Sequence, residues 1–141
     1  MWLVWDSLFL GGQRDASALG LLKKRGITHI VNCACELPCY FPNDFEYMSL
    51  NLNDPDPDFI KHIEPVCQFI DAGRLKGNVL VHCTAAVSRS PAMVLAYICH
   101  LGHSLEVARK LLNQRVATNP DPLFIMQLSE YYIQSWHSKD P

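Results

Sequence analysis

The chain has 141 residues, 49% of them hydrophobic and 18% charged, which is typical of a single folded domain with its own core. Its formal net charge of −2 gives no general attraction to nucleic acid or acidic membranes, and no apolar run is long enough to span a bilayer. Residues 1–6 lack the basic start of a signal peptide, so we expect the six cysteines to be thiols rather than a disulfide framework.

The N-terminal half of the chain alternates strand patterns with helix patterns. Short apolar runs of high β-propensity predict strands at residues 3–5, 8–10, 27–32 and 47–52. A helix is predicted over residues 17–25, ended by Gly26, and a loop containing prolines follows at residues 35–44. The next helix is predicted from residue 58 to about residue 73, although Pro65 should break or kink it. Apolar residues recur there every three or four positions, as on one face of a helix, at Phe59, Ile63, Val66 and Ile70.

The C-terminal half predicts one more strand and three helices. Residues 79–82 are expected to form the central strand, and residues 90–101 an almost wholly apolar, buried helix. Ser104 should cap a helix that ends at residue 115. Asp121 should cap the last helix, with Pro122 at its first position, to about residue 136. Strands alternating with helices predict an α/β domain, with a mixed central sheet of about five strands flanked by helices on both faces.

The segment between the central strand and the apolar helix carries a recognisable chemistry. Residues 82–90 read His-Cys-Thr-Ala-Ala-Val-Ser-Arg-Ser, with Cys83 and Arg89 six positions apart. On a loop between strand and helix, backbone N–H groups can converge on a phosphate dianion without any metal. Arg89 adds a planar fork for two phosphate oxygens, and the positive field favours a thiolate nucleophile at Cys83. Residues 83–89 are therefore called the phosphate loop. For the cysteine alone, a buried apolar role would be the better interpretation.

At this loop the chain resembles a known family. His82-Cys83 and Ser88-Arg89-Ser90 match the loop of the cysteine-based protein phosphatases, most closely the small, atypical dual-specificity group. Weaker similarity to that group's opening strand, second core strand and last two helices occurs at residues 7–11, 26–32, 104–111 and 124–128. The resemblance implies that residues 1–141 form one catalytic domain with the cysteine-phosphatase fold. That domain would hydrolyse phosphotyrosine and phosphoserine or phosphothreonine through a cysteinyl-phosphate intermediate.

The same resemblance sets expectations about partners. We expect a phosphorylated protein substrate, no cofactor, no metal, no nucleic acid and no membrane, with the oligomeric state open. No lysine stands between Cys83 and Arg89, which favours phosphoprotein over a poly-phosphorylated lipid headgroup. The short chain favours a shallow pocket that admits phosphoserine and phosphothreonine as well as phosphotyrosine. A cytoplasmic location, extending to the nucleus, is expected.

The reaction needs an acid to protonate the departing alkoxide or phenoxide. Residues 53–58, called the acid turn, leave a strand and offer three carboxyl groups. Asp54 follows the strand almost directly, and its distance from Cys83 (83 − 54 = 29 residues) is close to what the resemblance implies. We therefore predict Asp54 as the general acid, with Asp56 as the alternative. Asp58 should cap the following helix, and all three acids could instead merely solvate the turn.

Supporting roles are assigned by position. His82 can hydrogen-bond backbone around the phosphate loop, although a histidine at a strand end is often a core residue. Ser90 can donate to the sulfur when the phosphoenzyme breaks down, a role compatible with that of a helix N-cap. The phosphate-binding set comprises Thr84, Ala85, Ala86, Val87, Ser88 and Arg89.

Two departures from the family pattern bear on activity. The family usually has glycine where this chain has Ala86, and an alanine in the left-handed region costs about 1–2 kcal/mol. The family commonly has asparagine and glycine where this chain has Asp121 and Leu123. Asp121 would lack the side-chain donor that steadies the loop and would add a negative charge. We expect reduced but real catalysis, the alternative being a catalytically weak pseudophosphatase that binds phosphorylated partners.

Three different assignments fit the order of these residues less well. Low-molecular-weight phosphatases share the loop, but theirs opens the domain, and rhodanese-like sulfur transferases have no task for Arg89 or Asp54. A zinc site at Cys33, Cys35 and Cys39 lacks a second ligand pair.

The cysteines after the second core strand suggest a redox hypothesis. Cys33 or Cys35 would lie beside Cys83 and form a reversible disulfide with it under oxidation. The simpler interpretation is that both are thiols without a partner.

Overall fold

A computed structural model describes residues 1–139, with side chains described as far as Ile133. Within these residues, five strands form one sheet in the order β1-β2-β5-β3-β4. β1 is antiparallel to β2, and the other neighbouring pairs are parallel, so the predicted mixed sheet of about five strands is confirmed. The strands are β1 Trp2–Trp5, β2 Leu8–Gly11, β3 Ile27–Ala34, β4 Glu46–Leu52 and β5 Asn78–His82.

The helices cover both faces of this sheet, as expected. The described residues contain α1 Gln13–Ala16, α2 Leu19–Lys24, α3 Phe59–Arg74, α4 Arg89–His100, α5 Leu105–Asn113 and α6 Pro122–Lys139. One face packs against α3 to α6 in the main core. A smaller core on the other face contains Leu22 of α2 together with Ile30 and Leu80. None of the helices within the described residues is both long and apolar enough to cross a membrane.

One helix was not predicted, and the break expected in another is absent, each for a local reason. The helix expected at residues 17–25 is confirmed as α2, and α1, at residues 13–16, was not expected. The carboxylate of Asp15 accepts the backbone N–H of Gly12 at 3.1 Å, which starts α1 early, and the hydroxyl of Ser17 donates to the carbonyl of Gln13 at 2.9 Å as α1 ends. Helix α3 runs through Pro65 without a break. Pro65 is exposed, so the Lys61 carbonyl that it leaves without a helical donor can be hydrated.

The caps of the last two helices follow the prediction. Ser104 precedes α5, and its side-chain oxygen accepts the N–H of Val107 at 3.2 Å. The carboxylate of Asp121 accepts the N–H of Leu123 at 2.9 Å at the start of α6. Both contacts satisfy a backbone donor that has no partner inside its helix.

The sheet and α4 together provide a rigid base for the phosphate loop. β5 lies between β2 and β3, and all its residues except Asn78 are buried. In α4 the residues from Arg89 to Cys99 are buried as well. Burial on this scale leaves little freedom for a loop that is joined at one end to β5 and at the other to α4.

Candidate active site

Burial and backbone contacts position the phosphate loop. Cys83, which follows β5, is 2% exposed, and Arg89, which begins α4, is 8% exposed. The backbone N–H of Gln13 donates to the carbonyl of Thr84 at 2.9 Å. A Cβ atom on Gly12 would lie 2.8 Å from that same carbonyl oxygen, so the approach of α1 to the loop requires glycine at this position.

Ser90 lies against the sulfur of the predicted nucleophile. Its Oγ is 3.0 Å from Sγ of Cys83, and the contact is fully buried. Ser90 is the second residue of α4, and the N-cap position belongs to Ser88. The interpretation of Ser90 as an N-cap is therefore wrong. Its hydroxyl is instead placed where it can donate to a sulfur that carries negative charge.

Ala86 adopts the strained conformation that its family position suggested. Its φ is +60°, and the residue is 4% exposed. A Cβ in the left-handed region costs about 1–2 kcal/mol relative to the usual right-handed one. The phosphate loop thus keeps its turn at Ala86 despite the alanine, because the flanking strand and helix determine the path of the chain.

The acid turn meets the phosphate loop at Asp54. The hydroxyl of Ser88 donates to Oδ1 of Asp54 at 2.7 Å, while the rest of Asp54 is exposed. The predicted general acid is thus attached to the loop that carries Cys83 and Arg89.

The other two acids of the turn have different surroundings. The carboxylate of Asp56 accepts the backbone N–H groups of Asn53 at 3.0 Å and Asp58 at 2.9 Å. These bonds hold the pKa of Asp56 below its usual range, which favours the anion and a structural role. Asp58 occupies the N-cap position of α3, but its side chain makes no capping bond to the described residues and pairs with Lys61 at 3.0 Å. The expected side-chain cap at Asp58 is therefore wrong.

Asp121 steadies the loop in a way that the sequence did not indicate. Its backbone N–H donates to Oγ of Ser88 at 2.9 Å, and its carboxylate is engaged with Leu123 at the start of α6. The backbone N–H of Asn119 also donates to the carbonyl of Val87 at 2.8 Å. The side chain of Asp121 gives no hydrogen bond to the loop, as expected, and the contact with Ser88 comes from its main chain.

His82 is a buried, neutral support. It is fully buried, and its Nδ1 lies 3.3 Å from the carbonyl oxygen of Cys83, which can only accept, so Nδ1 carries the proton. Its Nε2 has no partner among the described residues. Burial lowers the pKa of His82 to about 4. The histidine therefore acts on the loop as an uncharged hydrogen-bond donor at neutral pH.

Glu36 is a site residue that the sequence interpretation missed. Its Oε1 accepts from Nη1 of Arg89 at 2.6 Å, and its Oε2 accepts from Nη2 of Arg89 and from Oγ1 of Thr84, both at 2.5 Å. The Arg89 guanidinium holds the pKa of Glu36 well below its usual range. Because β3 is parallel to β5 and adjacent to it, residues that follow β3 reach the loop that follows β5. The expected adjacency of these two strands, which placed Cys33 and Cys35 near Cys83, was the signal that could also have found Glu36.

The cysteines near the site differ in exposure. Cys33 on β3 is fully buried, and its pKa is raised by burial and by the neighbouring Cys83. Cys35 is exposed and contacts Oδ1 of Asn53 at 3.3 Å. All six cysteines lie in the described part of the chain and are free thiols. Over that same part, no group of three or more histidine, cysteine or acidic side chains is arranged to hold a metal ion.

Together these groups place the predicted nucleophile, a cation and the predicted proton donor around one loop. Cys83 offers sulfur, Arg89 offers guanidinium N–H donors, and Asp54 offers a carboxyl group. Such a set is suited to displacement at a phosphorus atom, which needs charge stabilisation and protonation of the leaving oxygen.

Comparisons with known sequences and with solved structures point to the same protein family. The family model described as the dual specificity phosphatase catalytic domain matches residues 8–134. The chain is 36% identical over 135 residues to human protein phosphatase Slingshot homolog 3, a match that covers 91% of this chain and 20% of that protein. The chain spans between 9% and 28% of the length of the curated relatives it matches.

Solved structures match over nearly their full length. Human DUSP28 has a TM-score of 0.91 and 30% identity, covering 99% of this chain and 100% of that one. The human tyrosine phosphatase-like serine/threonine/tyrosine-interacting protein has a TM-score of 0.89 and 33% identity, covering 96% and 97%. The sequence match over most of the chain and the shared fold agree with the loop geometry. This chain belongs to the dual-specificity phosphatase catalytic domain family of the cysteine-based phosphatases.

Proposed function

We propose that this chain is a protein phosphatase that hydrolyses phosphotyrosine and phosphoserine or phosphothreonine through a phosphate ester of Cys83. The observation that carries the proposal is the joint placement of three groups around the phosphate loop. The sulfur of Cys83 lies 3.0 Å from the Ser90 hydroxyl, and Asp54 is held to the loop by Ser88 at 2.7 Å. Arg89 is buried at the end of the same loop.

In the first step the thiolate of Cys83 attacks phosphorus. A sulfur–phosphorus bond forms as the phosphorus–oxygen bond to the substrate side chain breaks. Asp54, protonated before the step, gives its proton to the leaving oxygen. The guanidinium of Arg89 and the backbone N–H groups of the loop stabilise the charge on the other phosphate oxygens.

In the second step a water molecule hydrolyses the phosphoenzyme. Asp54, now a carboxylate, accepts a proton from the water as the water oxygen attacks phosphorus. The phosphorus–sulfur bond breaks, and the electron pair returns to the sulfur of Cys83. The Ser90 hydroxyl, 3.0 Å away, donates to that sulfur as it becomes negative. Inorganic phosphate then leaves.

The contacts of the loop support turnover over binding alone. A binding module needs Arg89 and the backbone donors, but it has no use for a hydroxyl beside the sulfur or for a carboxyl group held at the rim. This chain has both, at Ser90 and Asp54.

The rim of the loop supports a phosphoprotein substrate of either class. Val87 is 45% exposed and presents an apolar surface beside the loop. No lysine lies between Cys83 and Arg89 to favour additional phosphate groups. A loop without lysine accommodates a peptide carrying a single phosphate.

The test compares hydrolysis of an aryl phosphate, a phosphotyrosine peptide and a phosphothreonine peptide. Cys83→Ser should abolish turnover of all three. Asp54→Asn should lower kcat about 100-fold on the phosphothreonine peptide and less on the aryl phosphate, whose leaving group needs little protonation. Asp58→Asn, on the same turn, is the matched control and should change kcat less than about twofold. Turnover that survives Cys83→Ser would exclude the proposed mechanism.

A further inference from the structure

Gln127 is a buried amide at a point of α6 where the neighbouring side chains are apolar. It is 8% exposed, and Phe124 and Leu128 on the same helix are fully buried. A buried amide is stable only where its donor and its acceptor both find partners. In Gln127, Nε2 donates to the carbonyl of Asp56 at 3.0 Å, and Oε1 accepts the backbone N–H of Ile60 at 3.2 Å. Both partners lie outside α6, so the amide connects this helix to another part of the chain.

The bond to Ile60 supplies a cap that α3 otherwise lacks. Asp58 occupies the N-cap position of α3, but its side chain makes no capping bond to the described residues. Ile60 is the second residue of that helix, where the backbone N–H has no partner inside the helix. Gln127 accepts this N–H from a different helix. The ring centroids of Phe59 and Phe124 lie 4.8 Å apart at the same junction. The start of α3 is thereby fixed to α6.

The bond to Asp56 holds the acid turn itself. Within residues 53–58, only Asp56 is buried. Its carbonyl accepts the amide of Gln127, and its carboxylate accepts two backbone N–H groups of the turn. The turn is therefore attached to α6 at Asp56, two positions after the proposed general acid (56 − 54 = 2).

The start of α6 reaches the general acid by a second route. The backbone N–H of Asp121, just before α6, donates to Oγ of Ser88 at 2.9 Å, and Ser88 donates to Oδ1 of Asp54 at 2.7 Å. Asp121 and Gln127 are six positions apart (127 − 121 = 6), which is less than two helical turns. Two nearby parts of the same segment thus hold the carboxyl group of Asp54 and the backbone that follows it.

We propose that Gln127 is a positioning residue for the general acid, holding the acid turn at Asp56 so that the carboxyl group of Asp54 stays beside the phosphate loop. The inference rests on the proposed function, because it assigns to Asp54 the protonation of the leaving oxygen. It goes beyond that function in giving a task to a buried amide of α6. Gln127 acts through the acid turn and does not touch the substrate. Misplacing a reacting group by about 1 Å can cost two orders of magnitude in rate, so a loosened turn should slow proton transfer.

A purely structural role for Gln127 is the competing interpretation. In that case the amide only stabilises the start of α3, and its loss lowers stability or slows every substrate alike. A role in proton delivery affects those substrates whose leaving oxygen needs a proton. Phenyl phosphate is such a substrate, whereas para-nitrophenyl phosphate releases a stable anion. Values of kcat/KM on these two substrates separate the roles, because kcat/KM reports the steps up to release of the phenol.

The test is a double-substitution cycle of Gln127→Met and Asp54→Asn on this chain. Gln127→Met keeps the length of the side chain and removes both bonds. It should lower kcat/KM about tenfold on phenyl phosphate and less than about threefold on para-nitrophenyl phosphate. In the Asp54→Asn background the same substitution should change the phenyl phosphate value less than about twofold, because no proton remains to be delivered. Gln68→Met makes the same change at an exposed position of α3, and it should leave both values within about twofold of the wild type.

An unchanged ratio of the two kcat/KM values in Gln127→Met overturns the proposal, as does a tenfold loss on phenyl phosphate that persists in the Asp54→Asn background. Gln127→Glu covers the case in which thermal unfolding shows that Gln127→Met is not folded. It keeps the acceptor for Ile60 but turns an oxygen towards the carbonyl of Asp56, so phenyl phosphate should again be slowed more than para-nitrophenyl phosphate. A wild type that hydrolyses neither substrate would refute the proposed function and the positioning role together. An active wild type whose substrate ratio is insensitive to position 127 would refute the positioning role alone.

Discussion

The phosphate loop and the acid turn are held in place by different means. The phosphate loop is joined to β5 and α4, and Cys83 and Arg89 at its two ends are 2% and 8% exposed. The acid turn lies at the surface, and Asp54 is exposed. Its shape depends on the two backbone N–H groups that Asp56 accepts. The proposed nucleophile is therefore positioned by packing, whereas the proposed proton donor is positioned by a few polar contacts.

The two regions meet at one side chain. The hydroxyl of Ser88 donates to Asp54 and accepts the backbone N–H of Asp121. A displacement of the acid turn therefore reaches the phosphate loop through Ser88. Substitutions inside the loop should change chemistry and stability strongly, while substitutions in the turn should alter mainly the delivery of the proton.

The largest effect is expected on the pH dependence of stability, and it comes from His82, which is buried beneath the phosphate loop. His82 has a pKa of about 4 when folded, against about 6.5 when unfolded. Below pH 6.5 the unfolded chain binds a proton that the folded chain does not, so stability falls as the pH falls from 6.5 to 4. A pKa difference of this size corresponds to about 3 kcal/mol in the free energy of unfolding.

Chemical denaturation of the wild type and His82→Asn between pH 4 and pH 8 measures this contribution. The variant should lose most of the pH dependence between 4 and 6.5, whatever its absolute stability. His103→Asn, at a partly exposed position, serves as the control and should keep the wild-type slope. An unchanged slope in His82→Asn would show that different groups cause the acid sensitivity.

The second effect concerns the nucleophile as a leaving group. Ser90→Ala removes the hydroxyl that lies 3.0 Å from Sγ of Cys83. Breakdown of the phosphoenzyme should slow about 30- to 100-fold, as when one donor to a developing anion is lost elsewhere. Stopped-flow hydrolysis of an aryl phosphate should then show a burst of phenol followed by a slow steady state. A slow steady state that is not preceded by a burst would assign Ser90 to the first step instead.

The third effect breaks the acid turn. Asp56→Ala leaves the backbone N–H groups of Asn53 and Asp58 without their acceptor, at a cost of about 2 kcal/mol. The folded pKa of Asp56 is lowered, so its contribution is present above pH of about 4 and is lost as the pH falls through the folded value. The stability difference between wild type and variant, measured by urea denaturation, should therefore shrink below pH 4. A difference that stays constant to pH 3 would contradict the role of the carboxylate.

The strands were the most predictable part of the fold. Each of the five lies within two residues of its expected bounds, because short apolar runs between turn residues leave few alternatives. The short helix α1, at residues 13–16, could not be predicted from periodicity. It depends on a local bond from Gly12 to Asp15. The two extra residues of β3 pair next to an irregularity opposite β4, which depends on tertiary register.

The site was predictable where its chemistry is local in sequence. Cys83 and Arg89 share one loop, so their spacing and the residues that flank them predicted that they lie together. Glu36 precedes the nucleophile by 47 residues (83 − 36 = 47), and its contact depends on which strands are neighbours and on a side-chain rotamer. The three acids of the turn are all aspartates, and only their positions in the sequence favoured Asp54 as the general acid. Only their hydrogen bonds separate Asp54, which faces the loop, from Asp56, which shapes the turn.

The smallest effect on stability is expected from removing backbone strain at Ala86 in the phosphate loop, which is better packed than the acid turn. Ala86→Gly should relieve about 1–2 kcal/mol of left-handed strain at φ +60°. The added freedom of glycine in the unfolded chain costs about 0.4–1 kcal/mol, so a net gain of about 0.5–1 kcal/mol is expected. Urea denaturation at neutral pH measures the gain, with Ala85→Gly, whose φ is not positive, as the matched control that should lose stability.

Activity gives the second half of this test. If strain at Ala86 also displaces backbone donors of the phosphate loop, Ala86→Gly should raise kcat/KM on an aryl phosphate several-fold while Asp54→Asn keeps its full effect. A gain in stability without a gain in rate would mean that the loop already holds its donors correctly. Packing by β5 and α4 would then be sufficient to impose the catalytic conformation on an unfavourable residue, which is the property that distinguishes this region from the acid turn.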